Sequence, residues 1–141
     1  FRRVLFRSAK LSAPFVNLAL VPEAASSMLM PARIGYVRSF AAFALGESIS
    51  GPDAVALGLA NKALPLEEVL PAARSAAQAL AKKPAGSLVA TKKLMRDAET
   101  ILARMKHESQ IFRERLRSDE AREAFSAFAE RRQPDFSKFT S

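Results

Sequence analysis

A mostly α-helical chain with one or two short strands is what this sequence predicts, on three observations. Long runs with helical apolar spacing occupy residues 66–81, 87–117 and 119–131. Ser50 and Ser118 stand where helices should start, as N-caps. Only residues 11–21 and 60–64 are apolar without helical spacing, and both are short.

The elements follow in order. Residues 1–8, Phe-Arg-Arg-Val-Leu-Phe-Arg-Ser, can be encoded by TTC AGA CGT GTG CTC TTC CGA TCT, which matches a common short-read sequencing adapter. They are read as adapter read-through, set aside as fusion scars are, and expected to carry no structural role. Position 1 is not methionine, and the chain reads as the C-terminal half of a longer protein. Residues 11–21 suggest a short strand or an extended entry. Pro22 and Glu23 then open a helix over 24–30, since proline suits a helix start, and Pro31 and Gly35 punctuate it. A second short helix at 38–45 is closed by Gly46. Ser50, with Asp53 three residues on, caps a helix that stops at Gly58, and 60–64 is extended. Residues 66–81 are Ala-rich and amphipathic, and Lys82-Lys83-Pro84 ends them. Helices at 87–96 and 97–117 are nearly continuous, Ser118 caps a last helix over 119–131, and Pro134 begins a loose tail. There is no internal repeat, low-complexity tract or linker, and the length is that of one domain.

Composition narrows the function. With 49% apolar residues among 141, the chain can build a core. A net charge of +8 raises a nucleic-acid reading. Yet the basic residues are scattered, in pairs such as Lys82-Lys83, Lys92-Lys93 and Arg131-Arg132, and there is one Tyr and no Trp to stack on bases. A polyanionic small molecule would equally favour a basic surface. The absence of Cys removes disulfides and thiol chemistry and agrees with a reducing cytoplasm. No apolar run reaches membrane-spanning length. His107 is the only histidine and reads as solvated, so no metal site is expected. Ser26, Ser27, Ser39, Ser48, Ser50 and Ser87 lack a Gly-x-Ser-x-Gly context, and no Gly-rich phosphate loop is present.

One acid stands out. Glu23 is the only carboxylate between Phe1 and Gly46. Set between an apolar run and a helix of small residues, it could act as a general base, with burial raising its pKa toward working pH. From the residues alone it reads first as a solvated acid favoured by the helix dipole, since first-turn acids are common. In the long helix, Ile101, Leu102, Met105, Ile111, Phe112 and Leu116 make one apolar stripe, read first as packing. With Phe125 and Phe128 it could instead line an acyl pocket or a subunit contact.

The run from Pro14 to Ser27, Pro-Phe-Val-Asn-Leu-Ala-Leu-Val-Pro-Glu-Ala-Ala-Ser-Ser, resembles the middle of an enoyl-CoA hydratase/isomerase (crotonase) superfamily protein. It is most similar to the Δ3,Δ2-enoyl-CoA isomerase branch. The resemblance continues through Gly46-Glu47-Ser48-Ile49-Ser50-Gly51-Pro52-Asp53-Ala54, Lys82-Lys83-Pro84-Ala85-Gly86-Ser87, Ser118-Asp119-Glu120-Ala121-Arg122-Glu123-Ala124 and Phe128-Ala129-Glu130-Arg131-Arg132-Gln133-Pro134-Asp135-Phe136. It implies an α/β crotonase (ClpP/crotonase-like) fold in the intact protein. Residues 9–64 would be the end of its spiral core, and 65–141 a C-terminal helical region that builds trimers.

The resemblance also implies roles. Glu23 would be the one catalytic base, shifting the double bond of a 3-enoyl-CoA to the 2-position through a dienolate. Hydratases of the family use two glutamates, and one of those positions is Phe15 here. Phe15 would instead line the substrate site, and Phe128 and Lys138 match positions that approach the coenzyme A nucleotide of a neighbouring subunit. Coenzyme A is part of the substrate, so no separate cofactor is implied. The expected partners are an acyl-CoA thioester and further copies in a homotrimer or dimer of trimers, with no nucleic acid and no membrane, in the cytoplasm. Both oxyanion donors would lie upstream of Ala9, so these 141 residues alone are expected to be inactive, with Val16, Leu18, Leu20 and Met28 exposed. The alternatives are an enoyl-CoA hydratase or another crotonase-type acyl-CoA enzyme and, from another class, a small basic helical interaction module.

Overall fold

A computed structural model describes residues 4–139 of the chain. The elements run β1 (Val4–Phe6), β2 (Lys10–Leu11), α1 (Ser26–Ile34), α2 (Tyr36–Phe40), β3 (Ile49–Ser50), α3 (Gly51–Ala56) and β4 (Lys62–Leu64). Four longer helices follow: α4 (Leu66–Ala81), α5 (Ala85–Met95), α6 (Ala98–Leu116) and α7 (Asp119–Ala129). Contacts divide the chain into two compact units, Phe1–Leu11 with Ser48–Ile101, and Ser12–Glu47 with Leu102–Ser141.

The first unit is organised by two short ladders. β1 pairs in parallel with β4, Val4 opposite Lys62 and Phe6 opposite Leu64, and the Arg7 N–H donates to the Leu64 carbonyl at 2.6 Å. β2 pairs antiparallel with β3. The described residues thus hold four strands of two or three residues where the sequence predicted one or two, and β1 lies in the segment expected to carry no structure. The reason is local chemistry. Val4-Leu5-Phe6 is a β-favouring apolar run, Lys62–Leu64 offers it a ladder, and α4 packs against it. Ser50 caps α3 as expected, its hydroxyl accepting from the Asp53 N–H at 3.2 Å. Ala9, Ala54, Leu59 and Ala60 are buried, whereas α4 and α5 bury no residue and leave Leu66, Leu70, Leu94 and Met95 exposed.

The second unit packs α1, α2, the C-terminal part of α6 and α7 around small side chains. Leu20, Ala25, Ile34, Ala42, Phe43, Ala121, Ala124 and Ala127 are buried, and the three alanines of α7 let its neighbours approach closely. A 3₁₀ turn at Val16–Leu18 rests on α7. Beyond α2 the backbone continues as one π-helical turn, Ala41–Leu45, closed by Gly46 in the left-handed region at φ 71°. Asp97 caps α6, its carboxylate accepting from the Glu99 and Thr100 N–H groups at 3.0 and 3.1 Å. That cap, with extended backbone at Arg96, breaks the continuity expected between α5 and α6. Ser118 caps α7 through the Ala121 N–H at 3.1 Å.

Candidate active site

The site is built on the turn from Pro22 to Ser27. The helix expected to open at residue 24 begins at Ser26 and runs through Pro31 to Ile34. Between Glu23 and that helix, Ala24 and Ala25 both adopt left-handed backbone, at φ 57° and 60°. The Glu23 carbonyl accepts from the Ser26 N–H at 2.9 Å, closing the turn. Glu23 itself is exposed, beside half-buried Val21 and Pro22. The apolar wall expected around it is therefore not built by the described residues.

Left-handed backbone costs an L-residue roughly 1–2 kcal/mol, so two in succession need support. It comes from α6. The Glu108 side chain is 4% exposed and accepts from the Ala25 N–H at 2.5 Å and the Ser27 N–H at 3.0 Å, and the Ser27 hydroxyl also donates to it. Hydrogen bonds to a charged group contribute roughly 1.5–3 kcal/mol each, enough for three of them to outweigh the turn's strain and offset part of the carboxylate's desolvation. The carboxylate also meets the positive end of the α1 dipole. Next to it, the buried Ser26 hydroxyl has no hydrogen-bond partner among the described residues.

The remaining expected site residues lie in the same unit. Phe15 is half-buried, its ring 5.8 Å from that of Phe43, and its carbonyl accepts from the Leu18 and Leu20 N–H groups. Phe128 is 78% exposed. Lys138 forms an ion pair, its Nζ 3.2 Å from Glu123 Oε2. Glu123 on α7 gathers the tail. It accepts from Arg132 Nη1 at 2.5 Å and from the Asp135 N–H at 2.9 Å. The Arg132 hydrogen bond foremost, then the Asp135 N–H, hold its carboxyl at about 2, well below the usual carboxylate range. Of the residues expected to be exposed, Val16 is, Leu18 and Met28 are half-buried, and Leu20 is buried, its N–H tied back to Phe15.

Sequence reasoning missed Glu108 and Glu123. A signal for the first was present: Glu108 sits three residues after Met105 and four before Phe112, an acid inside an apolar stripe. Glu123 likewise lies four residues before Ala127 on α7, on the same helix face. Among the described residues no helix is long and apolar enough to cross a membrane. Nor does any group of three or more His, Cys, Asp or Glu side chains there suit a metal ion.

The model of one protein family, described as enoyl-CoA hydratase/isomerase, matches residues 2–139. The chain belongs to the enoyl-CoA hydratase/isomerase family. A Bacillus subtilis (strain 168) protein named "Probable enoyl-CoA hydratase" is 31% identical over 95% of this chain and 53% of its own length. The 1,2-epoxyphenylacetyl-CoA isomerase of Escherichia coli (strain K12) is 30% identical over 92% of this chain and 50% of its own. Among solved structures, an enoyl-CoA hydratase/isomerase from Pseudoalteromonas atlantica T6c superposes with a TM-score of 0.92 at 32% identity, covering 97% of this chain and 56% of that one. Pseudomonas aeruginosa OdaA superposes at 0.85 with 41% identity, over 89% and 52%. This member of the family thus has the crotonase-like fold and spans about half the length of the curated relatives it matches. The family match includes most of the first eight residues, in keeping with the strand at Val4–Phe6.

Proposed function

We propose that this chain carries the general base of an enoyl-CoA isomerase, and that the base is Glu23. The observation that carries the reading is the pairing of an exposed carboxylate, Glu23, at the Pro22–Ser27 turn with a phenylalanine at position 15. Glu23 is exposed, so a substrate can reach it. Its carboxylate takes a proton from C2 of a 3-enoyl-CoA, the electron pair delocalises over C2–C4 and the thioester as a dienolate, and the resulting acid returns the proton at C4. No atom is gained or lost, and one group suffices. Hydration needs a second acceptor to position water, and the Phe15 ring, packed on Phe43, supplies none. Backbone N–H donors for the thioester oxygen belong, in this reading, to segments upstream of Ala9.

The substrate is then an acyl-CoA thioester and the complete enzyme a cytoplasmic homotrimer or dimer of trimers. Exposed leucines on α4 and α5 support the association, and the net positive charge of +8 suits a polyanionic coenzyme. A second reading, hydration of a 2-enoyl-CoA, is favoured by the name of the Bacillus subtilis relative. The two separate in one experiment on the complete polypeptide. Glu23→Gln keeps the shape and removes the base, and isomerisation of a 3-enoyl-CoA should fall roughly 10²–10⁴-fold. Isomerisation within a few-fold of the parent rules out the assignment. Robust hydration of a 2-enoyl-CoA that survives Glu23→Gln reverses the order of the two functions.

A further inference from the structure

We infer that Glu108 is a positioning residue for Glu23, acting through the left-handed turn that separates the proposed base from α1. The inference rests on the isomerase reading for its catalytic consequence and on the geometry alone for its structural part.

Two adjacent alanines do not hold left-handed backbone unaided, and Ala24 and Ala25 sit at φ 57° and 60°. What holds them is a carboxylate 83 residues further along the chain. Glu108 Oε2 takes the Ala25 N–H at 2.5 Å, while Oε1 takes the Ser27 N–H at 3.0 Å and the Ser27 hydroxyl. All three partners are donors, so the site calls for an acceptor at both oxygens. Glutamine would turn an NH₂ toward one donor and lose that bond. Ala25 is fully buried, and Glu108 is 4% exposed, so water cannot replace the lost acceptor at low cost. Only Ala24 lies between the clamped Ala25 N–H and Glu23. Once the clamp opens, the strained pair relaxes to ordinary backbone and turns the Glu23 side chain out of register.

The test uses Glu108→Gln and Glu108→Asp, the second keeping two acceptor oxygens one methylene short. In the complete polypeptide, a misplacement of about 1 Å lowers turnover on the order of 10²-fold, so Glu108→Gln should lower kcat by about that factor with KM within threefold. Glu108→Asp should recover part of the loss. Because Glu108 acts through Glu23, adding Glu108→Gln to Glu23→Gln should lower the residual rate by less than about threefold, a non-additivity expected of groups working as a unit. A merely structural carboxylate predicts the opposite: a lower melting temperature with unchanged kcat in the folded protein. That result overturns the inference. A second readout needs no catalysis. In the complete polypeptide, the Ala25 and Ser27 amides should be protected from hydrogen exchange and lose that protection in Glu108→Gln. Should Glu108→Gln fail to fold, Ser27→Ala, which removes one of the three bonds, should lower protection at Ala25. Unchanged exchange overturns the structural part. Isomerisation left within a few-fold of the parent by Glu23→Gln instead overturns the isomerase reading, and the amide measurement then decides the role of Glu108 in shaping the turn.

Discussion

Gly46 closes the π-helical turn and faces the segment that carries Phe15, so replacing it tests how tightly that segment is held. Two penalties add up in Gly46→Ala. The first is backbone strain, because Gly46 sits at φ 71° and a Cβ there costs roughly 1–2 kcal/mol. The second is contact. The new Cβ would fall 2.5 Å from Asn17 Nδ2 and 3.4 Å from Pro14 Cβ. Asn17 is exposed, so it can yield by leaving its preferred rotamer at a cost of about 0.5–1.5 kcal/mol. Gly58 supplies the control, since it has φ 73° with no atom within 4 Å of a Cβ. The expected losses are therefore about 1–2 kcal/mol for Gly58→Ala and about 1.5–3.5 kcal/mol for Gly46→Ala, the contact adding about 0.5–1.5 kcal/mol to the same strain. Adding Asn17→Ala to Gly46→Ala should remove the contact penalty and leave the strain. Urea unfolding followed by far-ultraviolet circular dichroism reads these differences from the midpoint and slope. Equal losses at the two glycines, or no relief from Asn17→Ala, would refute the reasoning.

Three further outcomes are expected. The Glu123 carboxyl is held at about 2 by Arg132, the Asp135 N–H and Lys138, below the unfolded value near 4.5. Its stabilisation is thus complete above pH 4.5 and drains away as pH falls toward 2, and Glu123→Gln should lower thermal stability at neutral pH and flatten that acid limb. Removing residues 1–8 deletes β1 and the Arg7–Leu64 hydrogen bond, so the melting temperature should drop measurably, whereas an idle segment would leave it unchanged. Leu66, Leu70, Val89, Leu94 and Met95 are exposed, and the purified chain should bind a hydrophobic dye and elute as mixed species in size-exclusion chromatography; a dye-negative single species would contradict this.

What could be read in advance depended on how far each interaction reaches. Ser50 and Ser118 cap helices through groups three residues away, and both caps were visible in the residue order. The amphipathic helix Leu66–Ala81 was equally plain, because its spacing is local. The start of α1 was misplaced by two residues, and Pro31 looked like a terminator when it lies within the helix. Nothing near Ala24 in sequence announces left-handed backbone at an alanine; the cause is Glu108, and only the tertiary fold brings it there. For the same reason Glu23 was legible as a lone acid while its surroundings were not. Lys138 was picked out by family resemblance, and the ion pair with Glu123 depends on a tail that folds back on α7.

The clamp on Ala25 and Ser27 has a consequence for the order of assembly. A local turn forms in microseconds or less, yet this one pairs with a carboxylate on a helix 81 to 83 residues later. Closing so long a loop comes at an entropic cost that early, local structure cannot repay, so the left-handed pair waits for α6 to dock. During folding the helices of the second unit can form first, with the segment after Glu23 sampling ordinary backbone. The shape of the turn is then expected to form together with the burial of Glu108.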